Sequence, residues 1–189
     1  MSEHGEYSML YKAWQHFKTV TYHKYQVARG CFKIGLYRQG ITHDLSKYSL
    51  TEFGVGIRYF QGHRSPNNAE REKLGYSSVW LHHKGRNRHH YEYWFDYDSK
   101  SRTGELVPVP MPDKYIAEMV MDRIAACKVY KKDAYNDASS LEYYYQGTHV
   151  APMHEYTRKW LEDILKVLAK QGEEEAFRYI RVELLKKKR

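Results

Sequence analysis

Eight side chains of metal-ligating type stand in order along this chain: His23, then His43-Asp44, then His82-His83 and His89-His90, and last Asp122. They take six of its 11 histidines. Imidazole nitrogens and carboxylate oxygens are the donors that zinc, iron, manganese and similar ions accept. The clusters therefore point to a divalent transition metal (Mn, Fe, Co, Ni or Zn). Val20 and Val27 lie three and four residues from His23, which puts it near the buried face of a helix. Lys47 follows Asp44 by three residues, one helical turn, so its ammonium can reach the same mouth. Arg86 and Arg88 stand between the His pairs, and a guanidinium fork matches phosphate geometry. Tyr91, Tyr93 and Trp94 follow as rings able to stack on a base.

Something must bring these residues together, and the pattern is mostly helical. Over residues 9–31, Leu10, Ala13, Trp14, Phe17, Val20, Val27 and Cys31 recur at amphipathic spacing. His43-Asp44 is expected on a helix whose end faces a bundle interior, a known way to converge ligands on one ion. Ser49-x-x-Glu52 is a capping box opening a helix to about residue 60. After a loop over 61–68, a helix from about residue 69 should reach His82-His83, with Gly85 suited to its end. Residues 94–97 and 105–107 flank a polar turn at 98–104 and can pair as a small hairpin. Pro110 and Pro112 precede a helix over 113–130, with Asp122 beside the stripe Ile116, Met119, Val120, Ile124 and Cys127. Ser139-x-x-Glu142 reads as a second capping box. From about residue 153, Trp160, Leu161, Ile164, Leu165 and Leu168 mark the buried stripe of one or two helices broken near Gly172. The expected fold is all-α and a single domain over 1–189. It has a core over about 9–130, a small hairpin or loop insertion near 94–108 and a C-terminal helical extension over about 139–186.

Composition narrows the classes further. The chain has 189 residues, 42% hydrophobic and 29% charged, which is ordinary for a globular protein. Its mean hydropathy of -0.82 and lack of a long apolar run exclude a transmembrane helix. Met1-Ser2-Glu3-His4-Gly5-Glu6 lacks the basic start and apolar stretch of a signal peptide, and two cysteines are too few for a disulfide framework. A cytoplasmic protein is expected. The net charge of +8 attracts phosphate-bearing partners without choosing among them, and Lys186-Lys187-Lys188-Arg189 contributes part of it as a solvated tail.

His43-Asp44-Leu45-Ser46-Lys47 resembles the His-Asp-x-x-Lys element of the HD-domain superfamily of metal-dependent phosphohydrolases. His23 stands where that superfamily has its upstream ligand, and Met121-Asp122-Arg123-Ile124 is similar in context to its final aspartate. The double His pairs resemble the extra ligands of members that hold two metals. The block from Trp80 to Trp94 is also similar to a small bacterial and phage family with the same order. The resemblance covers about residues 22–130. It implies an HD-like helical bundle, one or two ions held by His23, His43, Asp44, His82, His83, His89, His90 and Asp122, and hydrolysis of a phosphoester. Asp44 would then bind metal and orient water, and Lys47 would hold a phosphate oxygen. Arg86, Arg88 and Tyr91 would contact a small phosphate-bearing substrate such as a nucleotide.

Two other functions fit the same residues. One is a nucleic-acid-binding module using the basic, aromatic segment 84–94. The other is a di-iron oxygenase on an HD-like scaffold. A homo-oligomer is compatible with all three. Plain structural roles also compete: His23 as a satisfied core histidine, Asp44 paired with Lys47 across a helix end, Asp122 in a surface ion pair, and Arg86 and Arg88 as surface charge. His16, His63, His149 and His154 read as structural or exposed, His4 as part of a frayed terminus, and Tyr143-Tyr144-Tyr145 as packing.

Overall fold

In a computed structural model, residues 7–101 and 104–186 are described, Thr148 by its backbone alone. His4, the N-terminal six residues, Arg102 and Thr103 of the polar turn, and Lys187 to Arg189 lie outside them. The described residues form eight α-helices and one two-stranded hairpin. The architecture is the expected all-α bundle with a small hairpin insertion.

Helix α1 (Met9–Lys33) begins where Ser8 accepts a hydrogen bond from the Tyr11 amide. It buries His16, Val20, His23, Val27, Gly30 and Cys31, a stripe at three-to-four spacing. That stripe packs on α6 (Asp113–Lys131), which is buried on nearly every side and forms the centre of the molecule. The Met121 side chain of α6 packs onto Gly30, where an added Cβ would stand 2.5 Å from Met121 Sδ. Helix α8 (Glu155–Tyr179) covers α6 from another side with Leu161, Ile164, Leu165 and Leu168, all fully buried. Each such side chain contributes roughly 1.5–3 kcal/mol relative to exposure. Gly172, at φ 85, kinks α8 as expected.

Smaller elements complete one end: α2 (Tyr37–Thr42), a 3-10 turn Leu45–Tyr48, α3 (Leu50–Arg58), α4 (Pro66–Leu74) and α5 (Ser78–Arg86). The hairpin pairs β1 (Phe95–Tyr97) with β2 (Leu106–Pro108) antiparallel, Asp96 opposite Val107. Helix α7 (Ser139–Tyr145) precedes α8. Four details of helix punctuation depart from expectation. The helix expected from residue 69 to His83 is two helices, because Gly75 adopts a left-handed φ of 80 and ends α4. Pro66 at the first turn of α4 starts it earlier than residue 69. Gly85 lies inside α5 and does not end it. Ser139 is the first residue of α7 and not its cap: its hydroxyl accepts from the Asn136 amide and from Lys131 Nζ. No helix among the described residues is long and apolar enough to cross a membrane.

Candidate metal centre

His43 and Asp44 are not on a helix. His43 ends α2, and Asp44 takes a left-handed conformation, φ 53 and ψ 28, before the 3-10 turn. Such a backbone costs an L-residue roughly 1–2 kcal/mol, and aspartate tolerates it better than most. The reversal lets two adjacent side chains aim at one point, which a continuous helix would send about 100° apart. Lys24 of α1 secures the turn by donating to the carbonyls of Ile41 (2.6 Å) and His43 (2.8 Å).

Asp44 sits at the middle of two ligand sets. Its Oδ2 is 3.2 Å from His43 Nε2 and 3.9 Å from His23 Nε2. Asp122 Oδ1 lies 2.9 Å from His23 Nε2 and 3.5 Å from His43 Nε2 on the same side. On the other side, Asp44 Oδ1 is 3.3 Å from His83 Nε2 and 3.4 Å from His89 Nε2. Among the described residues three groups able to hold a metal result: His23, His43, Asp44 and Asp122; Asp44, His83, His89 and His90; and His43, His89 and Glu118, with the donor atoms in each within 4.8 Å of one another.

Two glutamates behind the histidines fix which nitrogen faces inward. His43 Nδ1 donates to Glu118 Oε1 (2.9 Å), and His89 Nδ1 stands 3.2 Å from the same oxygen. His83 Nδ1 donates to Glu52 Oε2 (2.8 Å). A carboxylate on Nδ1 leaves the Nε2 lone pair free and makes the imidazole a better donor. The inward atoms fit a metal. His43 Nε2, Asp44 Oδ1, His89 Nε2 and His90 Nε2 are shut off from solvent and have no hydrogen-bond partner. Buried polar atoms are rarely left so, and ions held in the two sets would satisfy all four.

The electrostatics agree. Although burial opposes it, the charges of His43, Lys47 and His83 hold the Asp44 carboxyl well below the usual range. Burial likewise opposes ionisation of Asp122 and Glu118, yet hydrogen bonds from the histidines hold both below it. Burial lowers His23 and His90, keeping those imidazoles neutral. Against burial, the nearby carboxylates of Asp44, Asp122 and Glu118 raise His43, so an ion must displace its proton.

Of the ligands expected from the sequence, the structure brings together His23, His43, Asp44, His83, His89, His90 and Asp122. His82 is the exception. Consecutive residues on α5 diverge by about 100°, so His83 turns to the centre while His82, half-buried, bonds Glu52 Oε1 at 2.7 Å. Lys47 reaches Asp44 Oδ2 at 2.6 Å. A cavity of about 560 Å³ opens beside the cluster, and Lys47, half-buried Tyr91 and Asp122 line it. Arg86 and Arg88 do not: both are exposed, and the Arg88 guanidinium lies 5.7 Å over the Tyr93 ring. The cations lining the cavity are Lys47, Arg64, Arg71, Arg123 and Lys131. His16, expected to be structural or exposed, is buried and lines the cavity too.

Sequence reasoning passed over Glu52 and Glu118. Glu52 carried a signal, its place in the capping box, but its carboxylate is buried under α5 and serves the histidines. Glu118 lies four residues before Asp122, hence on the same face of α6, and that spacing could have found it.

The fold and the cluster together define an α-helical protein with a buried histidine–carboxylate centre able to hold metal. Residues 12–167 match the family described as "Family of unknown function (DUF5662)", and the chain belongs to that family. Comparison with the curated proteins and with the solved structures found no match.

Proposed function

We propose that this chain is a metal-dependent phosphohydrolase acting on a nucleotide or another small phosphoester. The observation that carries the reading is Asp44, whose two oxygens face two separate histidine sets beside a cation-lined cavity. The resemblance to the HD superfamily supports it, because the upstream histidine, the His-Asp pair and the downstream aspartate are the residues that converge. One ion would be held by His23, His43, Asp44 and Asp122, and a second by Asp44, His83, His89 and His90. A divalent ion supplies Lewis acidity there, lowering the pKa of water toward about 7 and polarising a phosphoryl oxygen.

The chain's own groups do the rest. Asp44 orients the attacking water between the two ligand sets. Lys47, 29% exposed at the cavity wall, balances the Asp44 charge and presents its ammonium to a phosphate oxygen. Tyr91 and Trp80 line the same cavity and offer ring surface to the rest of the substrate. The test is elemental analysis of the purified chain, followed by phosphate release from p-nitrophenyl phosphate and a nucleotide panel with each metal restored. His43→Ala and Asp44→Ala should lose both bound metal and hydrolysis, and retained turnover in either variant would overturn the reading.

A further inference from the structure

We propose that Arg123 is the phosphoryl anchor of this site and makes it selective for phosphomonoesters over phosphodiesters, an inference that rests on the phosphohydrolase reading. Arg123 follows Asp122 on α6 and lines the same cavity. Each of the other cations on that wall already has a protein partner, which for Lys47 is shared with its role toward phosphate. Lys47 pairs with Asp44, Lys131 with Glu142, and Arg64 with both oxygens of Glu72. Arg71 is exposed and donates to Asn68. Arg123 is half-buried, and its Nε is closed to solvent with no hydrogen-bond partner. Among the described residues no carboxylate stands within ion-pair distance of it. Glu92, on the same cavity wall, also has an unpartnered buried oxygen and lies beyond that distance.

A buried guanidinium Nε left without an acceptor is costly, and an anion in the cavity would complete it. The planar fork takes two oxygens of one phosphoryl group side by side. A terminal phosphomonoester has three such oxygens, so two can meet Arg123 while the third faces Asp44 and Asp122. A diester has only two, and the fork and the metal centre would compete for them. One step along α6 from Asp122 therefore sets both where the phosphoryl group sits and which ester class fits.

The experiment uses the full chain with manganese restored. It reads KM and kcat for p-nitrophenyl phosphate and bis(p-nitrophenyl) phosphate, and Kd for inorganic phosphate, phenyl phosphate and diphenyl phosphate by calorimetry. The wild type should prefer the monoester in both turnover and binding. Arg123→Gln should raise monoester KM and phosphate Kd about ten- to a hundredfold, as expected for a lost pair of charge-assisted hydrogen bonds, with bound metal unchanged. Arg123→Lys, which keeps charge but not the fork, should recover only part of the loss, and it carries the test if the glutamine variant does not fold. Unchanged KM and Kd in the variant that folds, a wild-type preference for the diester, or no phosphate binding by the wild type would overturn the anchor. Arg123-dependent monoester binding without turnover of either ester would instead overturn the phosphohydrolase reading and leave the anchor in place.

Discussion

At the residue scale, the centre depends on the carboxylates that hold its histidines from behind. Glu118 holds two histidines, His43 and His89, one from each ligand set. Glu118→Gln keeps the shape but removes the charge that makes Nε2 basic. It should weaken metal affinity by about 10–100-fold with little change in the melting temperature of the metal-free chain. A competition titration against a chelating dye measures this. His16 illustrates the opposite case, a buried imidazole without a carboxylate. It packs 5.1 Å from the Phe53 ring, and burial, aided by the Lys47 charge, pushes it down to about 4 from 6.5. The unfolded chain therefore takes up its proton first as pH falls. Stability from this group is complete above pH 6.5 and is lost between 6.5 and about 4. At 1.36 kcal/mol per pH unit the loss is roughly 3 kcal/mol. Urea midpoints measured across that window should fall less steeply in His16→Leu than in the wild type.

At the element scale, the α1–α6 contact sets the site, because His23 comes from one helix and Asp122 and Glu118 from the other. Gly30 lets those helices close. Gly30→Ala places a methyl against Met121 Sδ, and such overpacking costs about 1–3 kcal/mol. The variant should melt at lower temperature and also bind metal more weakly, since spreading the helices separates His23 from Asp122. Normal metal affinity in a destabilised Gly30→Ala would show that the two ligands are not positioned by this contact. The turn after α2 is the second device. Its left-handed Asp44 and the two carbonyls held by Lys24 aim the pair, whereas helix geometry would split it.

At the scale of the whole molecule, one hydrophobic core joins α1, α6 and α8, with Leu161, Ile164, Leu165 and Leu168 supplying the outer layer. The C-terminal helices are thus part of the body that holds α6 in place. An ion held in the first set would tie α1, the α2 turn and α6 to each other, and one in the second would tie that turn to α5 and the His89-His90 segment. Binding only the folded state, either ion should stabilise that state by about 2.7 kcal/mol at a free concentration of 100 times Kd. Thermal melts with and without a chelator should therefore differ by several degrees, and Asp44→Ala should abolish the difference.

Much of this was legible in the sequence. Three-to-four apolar spacing marked α1, α6 and α8, because a helix buries the face that its period repeats. The order of His23, His43-Asp44, His83, His89-His90 and Asp122 named nearly all the inward-facing donors. What sequence could not supply was direction. His82 and His83 are equal as letters, and only the packing of α5 on α3 turns one toward Asp44 and the other toward the far oxygen of Glu52. Arg86 and Arg88 looked better placed for phosphate than Arg123, yet the end of α5 carries them to solvent while α6 carries Arg123 into the cavity wall. Residue type and periodicity are properties of the chain itself and determine which groups and which helices exist. Which atoms meet depends on how helices distant in sequence rotate against one another, and the buried contacts of the tertiary structure decide that.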